Sequence, residues 1–364
     1  MARVHESLEY MRSIFQIVYK IVVGLVAFVL LALLGLIIIN QILFYKPANC
    51  EKLYETGVNR LNNIEKNTLL LITWNIGYAG LGKEMDFFYE GGKTVRPDPN
   101  TAELYMAGIL NTLERIEPVD FVLLQEVDVF SKRGYFTNQV EHISRLLGNY
   151  NTTFAKNYDV WYVPVPVYAP MGRVESGMVV FSLYHSTEAF RYSFPPDAAW
   201  PKRLFFFSRC YILSRYKVGD KDLVIINTHN SAYDESGAAK RVQMEMLKKC
   251  MLDEYQKGNY VISGGDWNIN PSGFNPVQIT TGDVMKIIPP VTEKDFFPEG
   301  WKWAYDSTTP TNRDVSTSYY KGKTKTTIID YFIVSPNVDI IEVNTIQTEF
   351  KFSDHQPVYL KIGL

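Results

Sequence analysis

The longest apolar stretch of the chain lies near its N-terminus. From Ile21 to Ile39 no side chain is charged or strongly polar, and the uncharged run continues to Tyr45, between Lys20 and Lys46. A helix of this length crosses a hydrocarbon core of ~30 Å. The predicted segments are a short tail, a transmembrane helix and a juxtamembrane linker, over residues 1–20, 21–45 and 46–67 respectively.

Two other interpretations of the apolar stretch are less favoured. A cleaved signal peptide has an apolar region of about 7–15 residues and a small-residue cleavage site, whereas this run is longer and ends in Tyr45-Lys46-Pro47. A core helix of a soluble domain is disfavoured by the N-terminal position. Basic residues flank both ends of the run in similar number, so they decide the orientation weakly. We expect a single-pass protein of the cell membrane with an extracytoplasmic catalytic domain.

After residue 67 the pattern alternates between short apolar runs and stretches with helical spacing. Apolar residues recur every three or four positions in three segments, which predicts helices over 101–116, 138–147 and 236–256. Runs rich in β-branched and aromatic residues predict strands. The predicted strands are 69–72, 121–124, 177–183, 204–216, 223–227, 260–262, 328–334 and 358–360.

This order of elements predicts one α/β domain over residues 68–364. Strands mixed with helices in this way indicate two mixed sheets packed face to face with helices outside, a four-layer α/β sandwich. Residues 77–100 are rich in glycine and proline and show no periodicity. A loop of this length in a compact domain is often functional, and a mobile surface excursion is the alternative.

Charge and cysteine content disfavour some classes of function. The chain has 37 basic and 39 acidic residues, and the part after residue 46 has 33 and 37, a net charge of about −4. No net positive field therefore attracts a polyanion such as DNA. The cysteines Cys50, Cys210 and Cys250 are widely spaced and odd in number, which argues against a zinc or redox motif and favours buried free thiols.

Polar residues follow, interrupt or precede six of the predicted strands. Carboxylate, amide and imidazole groups at six strand ends are hard to explain by packing alone, and carboxylate and amide oxygens suit Mg²⁺ or Mn²⁺ better than zinc. Asp330 is notable because it interrupts an apolar strand, where an unpaired carboxylate is costly to bury. The residues concerned are Asn75, Gln125-Glu126, His229-Asn230, Asp266 with Asn268, Asp330, and Ser353-Asp354-His355.

These segments resemble motifs of the endonuclease/exonuclease/phosphatase superfamily, which includes deoxyribonuclease I, abasic-site endonucleases, neutral sphingomyelinases and inositol-polyphosphate 5-phosphatases. The resemblance extends over residues 69–363, with the motifs in the family order. Each motif is weak alone, but six in order point to the superfamily without specifying the substrate. The matching segments are Thr73-Trp74-Asn75, Leu124-Gln125-Glu126, Asn227-Thr228-His229, Gly264-Gly265-Asp266-Trp267-Asn268, Ile329-Asp330-Tyr331 and Ser353-Asp354-His355.

The resemblance implies a role for each matching residue. Glu126 is expected to be the principal ligand of Mg²⁺ or Mn²⁺, with Asp354 as a further metal ligand. Asn75 is expected to help hold the metal or the phosphate. Asp266 is expected to orient or deprotonate the attacking water. The residues expected to contact or support the phosphate are Asn268, His355 with Asp330 behind its ring, and His229 with Glu175 as the partner that some members place there.

The resemblance implies a divalent-metal-dependent phosphoesterase, and one or two metal ions both fit the pattern. The leading hypothesis is hydrolysis of a lipid headgroup or small phosphate ester at the membrane. The alternatives are a membrane-tethered nuclease, which the charge disfavours, and a binding module that has lost catalysis. Two departures bear on the substrate: Ile328 stands where many members have a basic residue, and the loop 77–100 has no obvious counterpart in the nucleases.

Two further segments are candidates for contact with substrate or membrane. Lys321, Lys323 and Lys325 alternate with small residues as on one face of a strand, and a compact phosphorylated headgroup fits them better than a long polyanion does. The run 204–207 is expected to be a strand packed between layers. Trp74 and Trp267 are expected to lie in the core. Trp200 and the pair Lys202-Arg203 could face lipid, although exposed basic pairs are usually only solvated.

Overall fold

The structure is a computed structural model that describes residues 2–59, 61–116, 118–232, 237–275 and 292–364. Its helices and strands follow the segments of helical and alternating apolar periodicity in the sequence. The helices are α1 (Ala2–Ile42), α2 (Pro99–Arg115), α3 (Gln139–Leu146) and α4 (Ala238–Gln256). The longer strands are β2 (Thr68–Asn75), β3 (Phe121–Asp128), β4 (Asn151–Val163), β5 (Gly172–Ser182), β6 (Glu188–Ser193), β7 (Cys210–Val218), β8 (Lys221–His229), β9 (Tyr260–Asp266), β13 (Asp330–Val334), β14 (Asp339–Thr345) and β15 (Val358–Gly363).

Two mixed sheets form the centre of the fold, as the sequence predicts. The short strands β1 (Cys50–Lys52), β10 (Lys302–Ala304), β11 (Asn312–Arg313) and β12 (Thr326–Thr327) complete the set. One sheet has the order β1-β6-β7-β8-β9-β13-β10 and the other β14-β15-β2-β3-β5-β4, and β11 and β12 form a small separate ribbon. The pairs β2–β3 and β8–β9 are parallel.

Alternate residues of each strand face opposite layers, and this period-two pattern creates three cores. Residues such as Leu71, Leu123 and Ile225 fill the space between the two sheets. Their neighbours Ile72 and Leu124 face the other way and pack against α2 and α3. The far side of the seven-stranded sheet packs against α4. The prediction of a four-layer α/β sandwich is therefore confirmed, and Trp74 and Trp267 lie in its core as expected.

Side-chain caps define the starts of two helices, α2 and α3. The Asp98 side chain accepts hydrogen bonds from the backbone N–H groups of Asn100 and Thr101, and Pro99 occupies the first helical position of α2. Asn138 caps α3 in the same way through the N–H of Glu141. These caps satisfy N–H groups that have no partner within the helix.

The N-terminal helix is longer than predicted at one end and shorter at the other. It begins at Ala2, so the expected tail over 1–20 is helical and continuous with the apolar run, and it ends at Ile42 rather than at residue 45. Residues Ser7–Ile42 are long and apolar enough to cross a membrane, and the most apolar 18-residue window within them is not buried against the rest of the chain. Because its apolar side chains are exposed, the helix is not a core helix of the domain.

Other differences come from polar or irregular segments. The strand expected over 204–216 is in fact a 3-10 turn, Lys202–Phe205, followed by β7. Residues 321–323 form a turn, so the three lysines do not line one face of a strand, and Lys321 pairs with Glu349 at 2.8 Å. The three cysteines are free, but Cys50 is exposed rather than buried.

Candidate active site

The predicted site residues converge where the carboxyl ends of β2, β8 and β9 meet the bulged middle of β3. Asn75 ends β2, His229 ends β8 and Asp266 ends β9. The parallel register places His229 beside Asp266. On the other side of β9, the antiparallel partner of Asp266 is Asp330, the first residue of β13.

Local backbone irregularities aim two of these side chains into the site. The pairing of β3 with β5 shifts register between Leu124 and Val127, so a bulge carries Glu126. Glu126 has φ +53° and Asn268 has φ +51°, values in the left-handed region that residues other than glycine rarely adopt. Such strain persists where the surrounding structure enforces it, often at functional sites. It is a structural sign of function independent of the sequence motifs.

His355 and Asp330 form the most closely defined contact in the site. Nδ1 of His355 lies 2.8 Å from Oδ2 of Asp330, and both side chains are buried. The predicted contact between these two residues is therefore confirmed. Burial opposes a charge on the ring, but the carboxylates of Asp330, Asp354 and Asp266 outweigh it and raise the pKa of His355 well above its ordinary value. These carboxylates thus favour the charged form of His355.

The other ring nitrogen of His355 faces the interior of the site. Nε2 lies 3.9 Å from carboxylate oxygens of both Asp266 and Asp354. Nδ2 of Asn312, itself a donor, lies 3.0 Å from Nε2, and a neutral ring accepts a hydrogen bond from it there. When the ring is charged it has two N–H donors, and with Nδ1–H held by Asp330, Nε2–H is the one left for a phosphoryl oxygen.

Asp266 occupies the centre of the polar cluster. Its Oδ2 accepts a hydrogen bond from Nδ2 of Asn75 at 3.0 Å, and its Oδ1 accepts one from the backbone N–H of Asn268 at 3.0 Å. Burial, with a further contribution from Asp330, raises the pKa of Asp266 to about 6. A carboxylate with a pKa near neutrality is a competent general base.

His229 is buried in a different environment from the one predicted. Its Nε2 lies 3.5 Å from Oδ2 of Asp266 and 3.7 Å from Oε1 of Glu126. Burial, and then the charge of Arg209, lower the pKa of His229 well below its ordinary value. The surroundings of His229 therefore favour its neutral form, in contrast to those of His355.

The predicted pair between His229 and Glu175 is wrong. Glu175 bonds to Arg173 at 2.7 Å and to Lys156 at 2.9 Å in an ion-pair group on β4 and β5. Among the described residues, Nδ1 of His229 has no hydrogen-bond partner. The carboxylates near His229 come from Glu126 and Asp266 instead, and Glu175 holds the two strands together.

The predicted metal ligands fit a hard divalent cation by their chemistry. Glu126 and Asp354 line one pocket, and burial, together with the charge of Asp354, raises the pKa of Glu126. Asn75 donates through Nδ2 to Oε1 of Glu126 at 3.3 Å, and its Oδ1 accepts the backbone N–H of Gly77 at 2.9 Å, so its amide oxygen would have to turn to ligate a cation. Carboxylate and amide oxygens are ligands that Mg²⁺ and Mn²⁺ prefer, and a cation between two crowded carboxylates would relieve their repulsion.

A second group of side chains is close enough together to hold a metal, but its chemistry fits a cation less well. Ligand atoms of Asp266, Asp330 and His355 lie within 4.8 Å of one another. The carboxylates around His355 favour its protonated form, and a protonated imidazole cannot ligate a metal. The carboxylate oxygens of Glu126 and Asp354 therefore fit a cation better, and the group around His355 suits proton and phosphate binding.

A pocket with aromatic walls opens beside Glu126 and Asp354. The sequence did not identify its cation, Arg133, which binds both carboxylate oxygens of Asp128 at 3.1 and 2.9 Å and stacks 3.7 Å from the ring centroid of Tyr78. Arginine in a turn of the chain has no periodic signal, so its burial becomes visible only in the fold. The other walls are formed by Leu81, Phe87, Tyr89, Glu90, Tyr158, Met171, Phe206 and Phe207.

The loop 77–100 forms one side of this pocket and is not a surface excursion. Arg313 is buried and donates through Nη2 to the carbonyl oxygens of Leu81, Gly82 and Met85 at 2.8–3.1 Å. Gly77 has φ +51°, and a Cβ there would lie 2.8 Å from Oδ1 of Asp354. The glycine therefore lets the loop approach the site closely.

Comparison with known proteins identifies the family. The sequence matches the family model described as "Endonuclease/Exonuclease/phosphatase family" over residues 72–355, more than half of the chain. The chain belongs to this family. Family members are hydrolases acting on phosphate ester bonds, generally with divalent metals, and the chain is a hydrolase of this class. A search of curated proteins finds no match.

Solved structures with low sequence identity to the chain share its fold. D. rerio TDP2 complexed with single-strand DNA product has a TM-score of 0.52 at 14% identity, covering 82% of this chain and 100% of that one. An endonuclease/exonuclease/phosphatase from Bacteroides vulgatus gives 0.52 at 17%, covering 82% and 100%. The human Nocturnin catalytic domain with bound sulfate gives 0.50 at 16%, covering 85% and 97%.

Proposed function

We propose that the chain is a membrane-anchored, divalent-metal-dependent phosphodiesterase that acts on a lipid headgroup or a small phosphate ester. The observation that carries this proposal is the convergence of Glu126, Asp354, Asp266 and His355 at one edge of the two sheets. This edge combines acidic oxygens for a cation, a carboxylate with a near-neutral pKa and a charged donor, which are the components that phosphate-ester hydrolysis needs.

Each of the converging residues has its own role in the proposed hydrolysis. A cation held by Glu126, Asp354 and Asn75 would neutralise the phosphate as a Lewis acid. Asp266 orients a water and accepts its proton, since its deprotonated form is available above a pH of about 6. His355 donates its Nε2–H to a phosphoryl oxygen while Asp330 holds Nδ1. Asn268, fixed through Asn230, and the neutral His229 line the same space.

The pocket beside Glu126 favours a compact substrate over a nucleic acid. Its walls are aromatic and apolar, and its one cation, Arg133, is already neutralised by Asp128. Duplex binding depends on several Lys and Arg side chains that release counterions from phosphates. The net charge of about −4 after residue 46 argues in the same direction. A membrane-tethered nuclease remains the second candidate because the similar TDP2 structure contains a DNA product.

The full chain in detergent should hydrolyse a phospholipid or small diester with Mg²⁺ or Mn²⁺ and lose activity with a chelator. The test compares kcat/KM on phospholipids, phosphoinositides, DNA and RNA at physiological salt. Preference for nucleic acid with a steep salt dependence would promote the nuclease. Activity that is unaffected by the chelator would contradict the proposed metal. Inactivity on every substrate class would favour a binding module.

The exposed apolar helix α1 supports the anchor. The full chain should remain with membranes after carbonate or high-salt extraction, because the hydrophobic burial of about 20 residues does not depend on charge. Western blotting of the pellet and supernatant checks this expectation. Release by carbonate would contradict the anchor, and a mature N-terminus beyond residue 40 would show a cleaved signal peptide. Protease access to the domain in intact cells tests the proposed extracytoplasmic side.

A further inference from the structure

The end of α1 is in contact with a segment that reaches the candidate active site. This segment, Phe194–Phe207, connects β6 to β7 and includes the 3-10 turn Lys202–Phe205. Nε1 of Trp200 donates to Oε1 of Gln41 at 3.2 Å. Oγ of Ser208, next to the segment, donates to the carbonyl oxygen of Tyr45 at 3.4 Å. These contacts hold the segment at the level of the last turn of α1.

The contact with Gln41 sets the depth of Trp200 relative to a bilayer. The uncharged run of α1 ends between Gln41 and Lys46, which is where the hydrocarbon core gives way to headgroups if α1 spans the membrane. Trp200 is 57% exposed in the isolated chain. Tryptophan is enriched at this level of membranes because its ring is apolar and its N–H is polar.

The charges around Trp200 match a lipid surface. Lys202 and Arg203 follow it after Pro201 and are exposed, and Lys46 lies at the end of the apolar run. Nζ of Lys202 lies 4.8 Å from the ring centroid of Phe206. Basic side chains near a membrane surface are attracted to anionic headgroups. An exposed tryptophan with a basic pair is thus suited to the boundary between headgroups and acyl chains.

The same segment is continuous with the candidate active site. Phe207 lines the crevice between the segment and the end of α1, and it also lines the pocket that contains Glu126 and Asp354. Its ring stacks on Tyr158 at 4.1 Å and meets the edge of His229 at 5.9 Å. One side of the pocket wall is therefore built on residues that lie next to the membrane helix.

We propose that the segment Phe194–Phe207 is a lipid-binding surface that lies in the headgroup region of the same bilayer that α1 spans. Trp200 inserts at the interface, Lys202 and Arg203 bind anionic headgroups, and the pocket beside Glu126 opens next to that surface. A lipid headgroup can then reach the site without leaving the bilayer. This inference rests on the proposed anchoring by α1, and the occupant of the surface is lipid rather than a second protein.

Tryptophan quenching by brominated lipid tests the surface directly. The full chain is reconstituted in vesicles of phosphatidylcholine and phosphatidylglycerol, with bromine on the phosphatidylcholine acyl chains near the headgroup. α1 contains no tryptophan, and of the chain's six only Trp200 and Trp161 are among the exposed large hydrophobic residues. We expect the wild type to be quenched and Trp200→Phe to lose most of the quenching. Trp161→Phe is the matched control and should keep it.

The outcomes separate the surface from the anchor. Flotation of the vesicles first shows whether the chain is bound, and a chain that does not float would refute the anchor and the surface together. A chain that floats but whose Trp200→Phe variant is quenched like the wild type would overturn the surface alone. Trp200 covered by a second copy or another protein would give this second result.

A double variant tests the charged part of the surface. Lys202→Glu with Arg203→Glu should reduce quenching of Trp200 in vesicles that contain phosphatidylglycerol, because the reversed charges are repelled by anionic headgroups. The matched control is Lys248→Glu with Lys249→Glu, a basic pair on α4. Equal quenching in the two double variants would overturn the role of Lys202 and Arg203.

Discussion

Replacing Glu126 with glutamine is expected to lower kcat/KM by more than about 100-fold and to raise the Mg²⁺ concentration needed for half-maximal activity. Changes to groups that merely support metal ligands cost about 10–100-fold in affinity or activity, and a direct ligand should cost more. Glutamine keeps the size of the side chain and its hydrogen bond with Asn75, but it removes the negative charge. The loss is therefore electrostatic rather than steric.

The structure makes Glu126 a sensitive position. Its carboxylate is buried near Asp354, and it reaches the pocket through a β-bulge and a left-handed backbone conformation. Without a cation, the crowding of these carboxylates disfavours their charged forms. The Glu126→Gln variant should therefore be at least as stable as the wild type without metal and gain less stability when Mg²⁺ is added.

Metal titration of activity and of thermal unfolding measures both effects. Glu141→Gln is the matched control, because Glu141 is exposed on α3 and pairs only with Arg145 in its ion-pair contacts. That variant should keep the activity and the metal response of the wild type. A fully active Glu126→Gln enzyme with an unchanged metal response would show that the cation is bound elsewhere.

The sequence predicts the site well where chemistry is tied to strand ends. Asn75, His229 and Asp266 each close a strand whose apolar run is visible in the sequence, and parallel neighbours bring such ends together. Asp330 was identified because an unpaired carboxylate is costly among apolar neighbours, and its partner His355 lies 25 residues further along the chain. These inferences use short-range patterns and one general rule about burial.

The sequence fails where a contact depends on register or on an irregular turn. Glu175 pairs with Lys156 on β4 and with its near neighbour Arg173. The sequence does not predict β4 itself, because polar residues interrupt it. The position of Arg133 depends on a 3-10 turn. The aromatic run after Trp200 has the composition of a strand, but its backbone turns against the end of α1. Tertiary contacts decide such segments.

The two histidines show why environment matters more than residue type. Both are buried near carboxylates, but His355 bonds directly to Asp330 and its pKa is raised, whereas burial dominates at His229 and its pKa is lowered. Groups whose environments move their pKa values apart can take different roles at one pH. We therefore propose His355 as the charged donor and His229 as a neutral contact, a distinction that the motifs alone do not make.

Replacing the proposed base, Asp266, is expected to have the second large effect on activity. Asp266→Asn is expected to lower kcat by about 10²–10⁴-fold, the usual contribution of general acid–base catalysis, with a smaller change in KM. Asparagine keeps an oxygen that can accept the N–H of Asn268, so the turn after β9 should remain intact. It cannot accept a proton from water. Asp253→Asn, on the exposed side of α4, is the matched control and should behave as the wild type.

The pH profile separates a base from a residue that only positions the site. Burial raises the pKa of Asp266 to about 6, and the base is the deprotonated form, so wild-type kcat/KM should fall as the pH is lowered through about 6. A bound cation stabilises the carboxylate and moves this acidic limb to lower pH, so the limb should shift with Mg²⁺ concentration. In Asp266→Asn the limb should disappear from the residual activity. An acidic limb that persists unchanged in this variant would assign the base to another group, because a positioning residue can alter the rate without supplying the titration that the profile records.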